Sequence, residues 1–303
     1  SVDELSLGSN YVRAYGQTLG ALTHTSLQHG DANVTFGVRI HDGVDPAYLD
    51  DAISSIASQT YRKFKVVLLV DGPWALGERL AKRFDLPLIC TGLKADIEHC
   101  SWLHRQALEQ CDTEYYKPLD YDDQLLPNYL ERAVKTLERE KADVYGCMLN
   151  TLQDGEISPR LHWPNKPIET MFTGNSDDNM LPHSSVLMRA SIARKAGNYQ
   201  KRAVGLGADD YHLWYRIFKA GGEFFRDDEV RNVVYRIHDK NSLTIRRERF
   251  GHSHKAQRLL ASAAAAGIAL SAAACDGDAD ASADGDTPKI APARPGPGDP
   301  PHS

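Results

Sequence analysis

The segment Asp120-Tyr121-Asp122-Asp123 brings three carboxylates into four consecutive residues. Like charges this close repel one another, and a bound divalent cation removes that cost. Mg²⁺ and Mn²⁺ are hard cations that are commonly held by one or two carboxylates together with the phosphates of a substrate. The spacing therefore predicts a metal–diphosphate site that holds Mn²⁺ or Mg²⁺. A solvated acidic turn in front of the next helix accounts for the same residues.

Two of the acidic residues directly follow predicted strands. Asp71 comes after the apolar run 66–70, and Asp120 comes after the run 115–119. Ligands of open α/β sheets bind at the carboxyl ends of the strands. If neighbouring strands carry these two residues, both side chains face one crevice.

Further polar residues stand at element boundaries later in the chain. Asp209 and Asp210 open a predicted helix, and His238 follows the last predicted strand. Acids at a helix N-terminus also complement the helix dipole without any catalytic role. A lone histidine after a strand is usually structural or exposed to solvent.

Strands and helices alternate through the first half of the chain. Asp45 and Pro46 are typical of a helix start, and apolar residues follow on one face. Strands are predicted at 34–40, 66–70, 86–91, 115–119 and 143–149, and helices from 45, at 101–111 and at 127–140. This alternation predicts an α/β fold with a mostly parallel, Rossmann-like central sheet and helices on both faces.

The second half is less regular. Residues 151–182 are rich in Pro, Asn, Asp and Gly, which predicts a long loop of the kind that is usually functional. Strands are predicted at 183–189 and 230–237. A helix is predicted at 209–220, with Leu213, Ile217 and Phe218 facing inward and Gly221-Gly222 ending it.

Composition sets the organisation of the 303 residues. We predict an extension at 1–33, a main domain at 34–255, and an Ala-rich tail at 256–303 that becomes rich in Pro, Gly and Asp and is disordered. A net charge of -6 argues against a nucleic-acid partner. No membrane span and no signal peptide are visible, and five cysteines without C-x-x-C spacing indicate reduced thiols in a cytoplasmic protein. The sequence leaves the oligomeric state open.

Five short motifs, in order over residues 34–245, resemble the inverting nucleotide-sugar glycosyltransferases of family 2, which have the GT-A fold. They are S-I-A-S-Q-T-Y at 55–61, V-D-G-P at 70–73, L-D-Y-D-D at 119–123, D-D-Y-H-L-W-Y-R at 209–216 and Y-R-I-H at 235–238. The family typically shows S-I-x-x-Q-T-Y, D-D-G-S, L-D-x-D-D, E-D-x-x-L-x-x-R and Y-R-x-H. The resemblance implies transfer of a sugar from a nucleotide-sugar donor to an acceptor that remains unidentified.

The resemblance also implies roles for individual residues. Asp210 would be the general base that deprotonates the acceptor, so that attack opposite the leaving group inverts the configuration. Asp120 and Asp122 would hold the metal, with Asp123 close by, and His238 would contact the metal or the diphosphate. The nucleotide and donor contacts would come from Arg39, His41, Asp71, Arg105, Asp120 and Tyr121.

The smaller acceptor-side region is assigned to the predicted loop 151–182 and its surroundings. Trp163, His183 and Asp209 are candidate acceptor-side residues, although ordinary loop packing explains each of them singly. Several positions depart from the family pattern, among them Val70, Pro73, His104-Arg105-Gln106 and Asp209. These departures leave the nucleotide and the donor contacts open.

Two alternatives stand beside the transferase. A nucleotidyltransferase shares the layout and the metal, but it usually has a Gly-rich, basic loop after the first strand. This chain has Arg39-Ile40-His41-Asp42-Gly43 there, which is a weak signal. A non-catalytic protein that binds sugar nucleotides fits the changes at Val70 and Pro73, whereas Asp122 and Asp210 argue against it.

Overall fold

A computed structural model describes residues 27–96, 99–159, 168–172, 179–200, 209–239 and 241, without the side chains of Glu169 and Asp209. The strands are β1 Val34–His41, β2 Phe64–Asp71, β3 Leu88–Cys90, β4 Tyr115–Asp120, β5 Gln124–Leu125, β6 Val144–Cys147, β7 Leu149–Gln153, β8 Glu156–Pro159, β9 Leu187–Arg189, β10 Phe224–Asp227 and β11 Val233–Arg236. The helices are α1 Pro46–Ala57, α2 Trp74–Phe84, α3 His99–Glu109, α4 Tyr129–Glu140, α5 Ala190–Lys195 and α6 Asp209–Lys219. Short 3-10 turns occur at Ile168–Phe172 and His183–Ser185.

A seven-stranded sheet forms the centre of the molecule, in the order β10-β6-β9-β4-β1-β2-β3. Its strand pairs are parallel, except that β9 runs antiparallel to both β4 and β6. The middle strand β1 is almost entirely buried because the sheet is covered on both faces. The predicted α/β fold with a mostly parallel central sheet is confirmed.

The first helix, α1, has a capped start and a buried apolar face. The Asp45 side chain accepts a hydrogen bond from the backbone N–H of Ala47 at 2.9 Å, and Pro46 occupies the first helical position. The predicted apolar stripe of α1, composed of Leu49, Ala52, Ile53 and Ile56, is fully buried. The helix is therefore held both by its cap and by the core beneath it.

A second, four-stranded sheet has the order β5-β11-β7-β8. The strands β7 and β8 form a hairpin whose turn is Asp154-Gly155, with φ angles of 52° and 83°. Asp-Gly is a strong hairpin signal because both central residues of a type I′ turn need positive φ. The prediction of one continuous loop over 151–182 is therefore wrong for residues 151–159, which are strands and a turn.

Two other predictions need correction. The predicted strand at 183–189 consists of a 3-10 turn followed by the short strand β9. Phe218, expected to face inward on α6, is 38% exposed and stacks on Phe172 with the ring centroids 4.6 Å apart. Leu213 and Ile217 are fully buried as expected, and Gly221 ends the helix region with a φ of 82°.

The chain before β1 is described from Leu27 onward. Leu27 is buried in the core, and the Gln28 side chain donates to the carbonyl of Val66 at 2.7 Å. Four cysteines are free thiols, and Cys275 lies outside the described residues. None of the described helices is long and apolar enough to cross a membrane. The domain limits and the cytoplasmic location stay predictions.

Candidate active site

The candidate site lies at the carboxyl ends of three adjacent strands. In the sheet β1 stands between β2 and β4, and its two end residues pair with the acids: His41 with Asp71, and Arg39 with Asp120. On one side of β1 the sheet continues with β2 and β3, and on the other side it continues with β4. The direction in which strands are added reverses at β1, and ligands of such sheets bind at this switch point. Asp71 and Asp120 thus end strands on either side of β1, one strand further apart than direct neighbours.

Asp122 is held from the second sheet. Its Oδ2 lies 2.8 Å from His238 Nε2 and accepts a hydrogen bond from Asn241 Nδ2 at 3.2 Å. The Asn241 side chain in turn accepts from the backbone N–H of His238 at 2.7 Å. The end of β11 therefore brings an imidazole and an amide to the acidic cluster, and a contact of His238 with a metal or diphosphate stays a prediction.

Asp123 and Asp120 have different surroundings. Asp123 is buried, its Oδ1 accepts from the backbone N–H of Arg236 at 3.2 Å, and its Oδ2 has no hydrogen-bond partner among the described residues. Burial raises the pKa of Asp123 well above its usual range, and the charges of Asp122 and Asp120 reinforce this. Asp120 is more open and forms an ion pair with Arg39 at 3.4 Å.

These groups suit a hard divalent cation. Asp120 and Asp122 provide oxygen ligands, His238 provides a nitrogen at 2.8 Å from one of those carboxylates, and a buried carboxylate oxygen of Asp123 is unpaired within the described part of the chain. Two ligands on adjacent corners of an octahedral cation lie about 3 Å apart. Across the described residues, no three His, Cys, Asp or Glu side chains are grouped closely enough to bind a metal on their own.

Asp71 is fully buried and already has several partners. Its carboxylate accepts from the backbone N–H of Asp96 at 3.0 Å, lies 2.7 Å from His99 Nδ1, and accepts from the Thr91 hydroxyl at 3.3 Å. The hydrogen bonds connect the end of β2 to the chain after β3 and to α3. They hold the buried Asp71 carboxylate at the carboxyl end of β2, and its contact with a nucleotide stays a prediction.

The remaining donor-side candidates separate into two groups. His41 packs edge to face on Tyr121, with ring centroids 4.9 Å apart, so both rings border the acidic cluster. Arg105 instead forms an ion pair with Glu109 at 2.9 Å and reaches the carbonyl of Tyr199. Both partners lie outside the acidic cluster, and the structure does not bring Arg105 together with Asp120 and Asp122.

Asp210 lies near the start of α6. Its Oδ2 accepts a hydrogen bond from Asn179 Nδ2 at 2.7 Å, and its Oδ1 accepts from the backbone N–H of Tyr211 at 2.8 Å. Asp209 begins the same helix, and only its backbone is described. Trp163 lies outside the described residues. Sequence reasoning missed Asn179, which no motif singled out.

Residues 179–185 connect the two acidic regions, and we call them the bridging segment. At one end Asn179 contacts Asp210, and at the other end the Ser184 hydroxyl accepts from the backbone N–H of Asp120 at 3.4 Å. Leu181 packs over Gly146 of β6, where an added Cβ would lie 2.3 Å from the leucine side chain. His183 lies inside this segment.

A fully buried lysine lies beneath the bridging segment. Lys117 of β4 donates to the carbonyls of Ser184 at 2.6 Å and Pro118 at 2.8 Å, and its Nζ lies 4.9 Å from the centroid of the Tyr129 ring. Burial lowers the pKa of Lys117 to about 7. The sequence analysis did not single out this residue, because it lies in the middle of an otherwise apolar strand.

The S-I-A-S-Q-T-Y motif is a clamp rather than a reactive group. Gln59 donates to the carbonyls of Ser55 and Leu126, at 3.0 and 2.9 Å, and accepts from the backbone N–H of Leu130 at 3.0 Å. It therefore ties the end of α1 to the chain that leaves the acidic cluster. Only the three-dimensional contacts reveal this role.

A cleft of about 390 Å³ borders the cluster on the side of the second sheet. Its lining includes Tyr48, Arg236 and His238 together with the hairpin turn at Asp154. The Arg236 guanidinium covers the Tyr48 ring at 4.1 Å and forms an ion pair with Asp51 at 2.7 Å. The cleft wall is thus cross-linked to α1.

Comparison with known proteins identifies the family. Residues 43–197, half of the chain, match the profile of "Glycosyl transferase family 2". The O-antigen biosynthesis glycosyltransferase WbnJ of Escherichia coli is 23% identical over 205 residues, which are 64% of this chain and 76% of WbnJ.

Solved structures show the same fold. S. aureus TarS in complex with UDP-GlcNAc aligns with a TM-score of 0.53 at 14% identity, over 70% of this chain and 60% of TarS. GalNAc-T7 with UDP, GalNAc and Mn²⁺ aligns with a TM-score of 0.53 at 14% identity, over 75% of this chain and 50% of GalNAc-T7. The predicted GT-A fold is confirmed, and the chain belongs to glycosyl transferase family 2 and is a nucleotide-sugar glycosyltransferase.

Proposed function

We propose that the protein transfers a sugar from a nucleoside-diphosphate sugar to an acceptor hydroxyl with inversion, using a divalent metal and Asp210 as the general base. The observation that carries this proposal is the bridging segment, which touches Asp120 at one end and Asp210 at the other. An acidic, metal-binding cluster and a separate carboxylate on the far side of one short segment are what an in-line displacement needs.

The donor half is assigned to the strand ends around β1. Asp120, Asp122 and His238 would hold Mn²⁺ or Mg²⁺, with the substrate phosphates among its ligands. Such a cation would neutralise the charge that develops on the departing diphosphate. His41, Asp71 and Tyr121 border the wall on which the base and ribose would lie. TarS and GalNAc-T7, whose structures contain UDP-GlcNAc and UDP respectively, make UDP-sugars the first donors to test.

The acceptor half is assigned to Asp210. Its Oδ2 is oriented by Asn179, and its Oδ1 is oriented by the first turn of α6. The carboxylate would remove the acceptor proton as the acceptor oxygen attacks the anomeric carbon. Asp209 and Trp163 remain candidates on this side, together with the cleft lined by Tyr48 and Arg236. The acceptor itself is unidentified.

A binding and turnover screen tests the donor half. UDP, GDP and dTDP would be added with and without Mn²⁺, and one of them should raise the melting temperature only when the metal is present. The matching nucleotide sugars should then be hydrolysed or transferred, and excess chelator should abolish the turnover. Turnover that is unchanged in chelator would remove the metal from the mechanism, and a protein that binds no nucleotide would contradict the proposal altogether.

A further inference from the structure

His183 lies in the bridging segment, which contacts Asp210 through Asn179 and Asp120 through Ser184. It belongs to the bridging segment, next to Ser184, whose hydroxyl accepts from the backbone N–H of Asp120 at 3.4 Å. Four residues earlier, Asn179 donates to Asp210 at 2.7 Å. In an in-line displacement, the transferred sugar lies between the leaving group and the base. The charges of Asp120 and Asp210 both act on the His183 imidazole, which places the ring between the two acidic regions.

The backbone around His183 is fixed by buried hydrogen bonds. Lys117 Nζ donates to the Ser184 carbonyl at 2.6 Å, and the Tyr129 hydroxyl donates to the Ser185 carbonyl at 2.9 Å. On the other side, Trp214 Nε1 donates to the Leu181 carbonyl at 3.0 Å. Three buried side chains from different elements thus hold the two flanks of His183, which gives the imidazole a defined position before substrate binds.

The partner of His183 fixes its tautomer. His183 Nε2 lies 2.8 Å from the hydroxyl of the buried Tyr199, and this hydroxyl has no other hydrogen-bond partner within the described part of the chain. Burial raises the pKa of Tyr199 well above its usual range, so the hydroxyl keeps its proton. Among the described residues, Nε2 of His183 is the acceptor that this O–H can reach, so the hydroxyl donates a hydrogen bond to Nε2. The imidazole proton must then sit on Nδ1.

A second histidine favours the neutral form of His183. His104 is fully buried, packs edge to face on His183 with centroids 4.6 Å apart, and is bonded through Nδ1 to Tyr116 at 2.8 Å. Burial lowers the pKa of both histidines, and His104 lies too close to allow both rings to carry a charge. His183 is therefore a neutral donor, suited to an uncharged hydroxyl rather than to a phosphate.

We propose that His183 donates a hydrogen bond from Nδ1 to an oxygen atom of the transferred sugar, with Tyr199 as the positioning residue that fixes its tautomer. Nδ1 has no hydrogen-bond partner among the described residues, and the ring is only partly buried. This inference rests on the proposed function, and it moves His183 from the acceptor side to the donor sugar.

Two substitutions of His183 separate the two ring nitrogens. The amide of Asn lies near the place of Nδ1, and the amide of Gln lies near the place of Nε2. His183→Asn therefore keeps a donor toward the sugar and loses the bond to Tyr199, while His183→Gln does the reverse. We expect kcat/KM for the nucleotide sugar to fall about tenfold in His183→Gln and His183→Ala, and to stay within about threefold in His183→Asn.

The inhibition constant of the parent nucleoside diphosphate is the internal control. The assay uses a panel of UDP-, GDP- and dTDP-sugars with Mn²⁺, and then the diphosphate of whichever sugar nucleotide turns over. This inhibition constant should change less than about twofold in all His183 variants, because a neutral donor facing the sugar leaves the nucleotide site intact. A merely structural role would weaken the diphosphate and the sugar nucleotide together.

Tyr199→Phe provides a second route if the His183 variants fail to fold. It leaves the imidazole in place and frees Nε2, so kcat/KM for the sugar nucleotide should fall about threefold with the diphosphate constant unchanged. The matched control is Tyr61→Phe, which removes a hydroxyl bonded to Asn33 at 2.6 Å before the amino end of β1. That control should leave both constants unchanged.

The possible results separate this inference from the function on which it rests. If the wild-type protein turns over no sugar nucleotide, both the proposed function and this inference are wrong. If the wild-type protein is active and His183→Gln and His183→Asn behave alike, the sugar contact is wrong while the proposed function stands. An equal loss of diphosphate affinity in every variant would also overturn the contact.

Discussion

The acidic cluster and the Asp210 region are built in different ways. At the cluster, Asp122 and Asp123 are held by His238, Asn241 and the backbone of Arg236, all from or beyond β11. Among the described residues, Asp210 has one side-chain hydrogen-bond partner, Asn179, together with the N–H of the residue that follows it. Within the described part of the chain, the end of β11 therefore holds the acidic cluster with several groups, whereas one side-chain amide and one backbone N–H hold Asp210.

This difference between the acidic cluster and the Asp210 region fits the division between donor and acceptor chemistry in the proposed function. In the proposed function the acidic cluster receives a metal and a diphosphate. Its carboxylates then have to be fixed in advance, because repulsion among them would otherwise spread them apart. In the proposed mechanism, the Asp210 carboxylate instead meets an acceptor that enters from solvent. A light tether orients it without filling the space where that acceptor has to lie.

The largest expected effect separates the two regions directly. Asp210→Asn should reduce kcat by about 10²- to 10⁴-fold, or roughly 3 to 5.5 kcal/mol, because it removes the base and keeps the shape. Binding of nucleoside diphosphate with Mn²⁺ should be unchanged. Asp122→Asn should instead weaken the metal-dependent binding of the nucleotide. Calorimetry and steady-state kinetics on both variants measure this split.

The division between the two regions fails if the variants behave alike. Turnover by Asp210→Asn within a few-fold of wild type would show that another group is the base. Unchanged Mn²⁺-dependent nucleotide binding in Asp122→Asn would take this carboxylate out of the metal site.

The next prediction concerns Gln59, which supports the chain that leaves the acidic cluster. Gln59→Ala removes three hydrogen bonds, two of which tie the end of α1 to the chain after the acidic cluster. Buried backbone groups lose their partners, so the free energy of unfolding should fall by about 3 kcal/mol in urea titrations. The control is the exposed Gln153→Ala, which should change it by less than about 0.5 kcal/mol. A small effect at Gln59 would mean that the clamp is dispensable.

A third prediction concerns Asn179, which donates a hydrogen bond to the proposed base Asp210. Asn179→Asp replaces the amide donor to Asp210 by a second carboxylate. Repulsion makes Asp210 harder to ionise, so the acidic limb of the pH–rate profile should move to higher pH and the rate at neutral pH should fall about tenfold. Asn179→Ala, which adds no charge, should move the limb less. An unshifted limb in the Asp variant would show that Asp210 does not limit the rate.

The smallest effect concerns the lysine beneath the bridging segment. The pKa of Lys117 is lowered by burial from 10.5 to about 7, so between these values the unfolded chain binds a proton that the folded chain releases. Stability should therefore rise with pH, by about 1 kcal/mol between pH 7 and pH 8. Lys117→Met should flatten this rise in thermal melts, whereas the exposed Lys135→Met should leave it. Equal slopes in all three proteins would contradict the assignment to Lys117.

Much of the first sheet was predictable because its signals are local. The apolar runs of β1 and β2 and the capped stripe of α1 are written in neighbouring residues, and the acids that follow the strands locate the site. The order of the motifs then identified the family. These features depend on short-range periodicity, which a single sequence displays.

The remaining parts depend on contacts between distant residues. The strand β9 is three residues long and pairs with β4 and β6, so no periodic pattern reveals it. Asn179 and Gln59 are ordinary polar residues until their partners are known. The hairpin turn at Asp154-Gly155 was an available signal that the high content of polar residues around it obscured.

Gly146 of β6 lies against the bridging segment, and its lack of a Cβ atom makes this close contact possible. Because its α-carbon carries only hydrogen toward Leu181, the bridging segment can lie close against β6. A methyl group there would lie 2.3 Å from the end of the Leu181 side chain, which would have to move. Gly146 thus leaves room for a side chain of the segment that the proposed function places between leaving group and base, and a search for variants with altered sugar size could begin at this remote glycine.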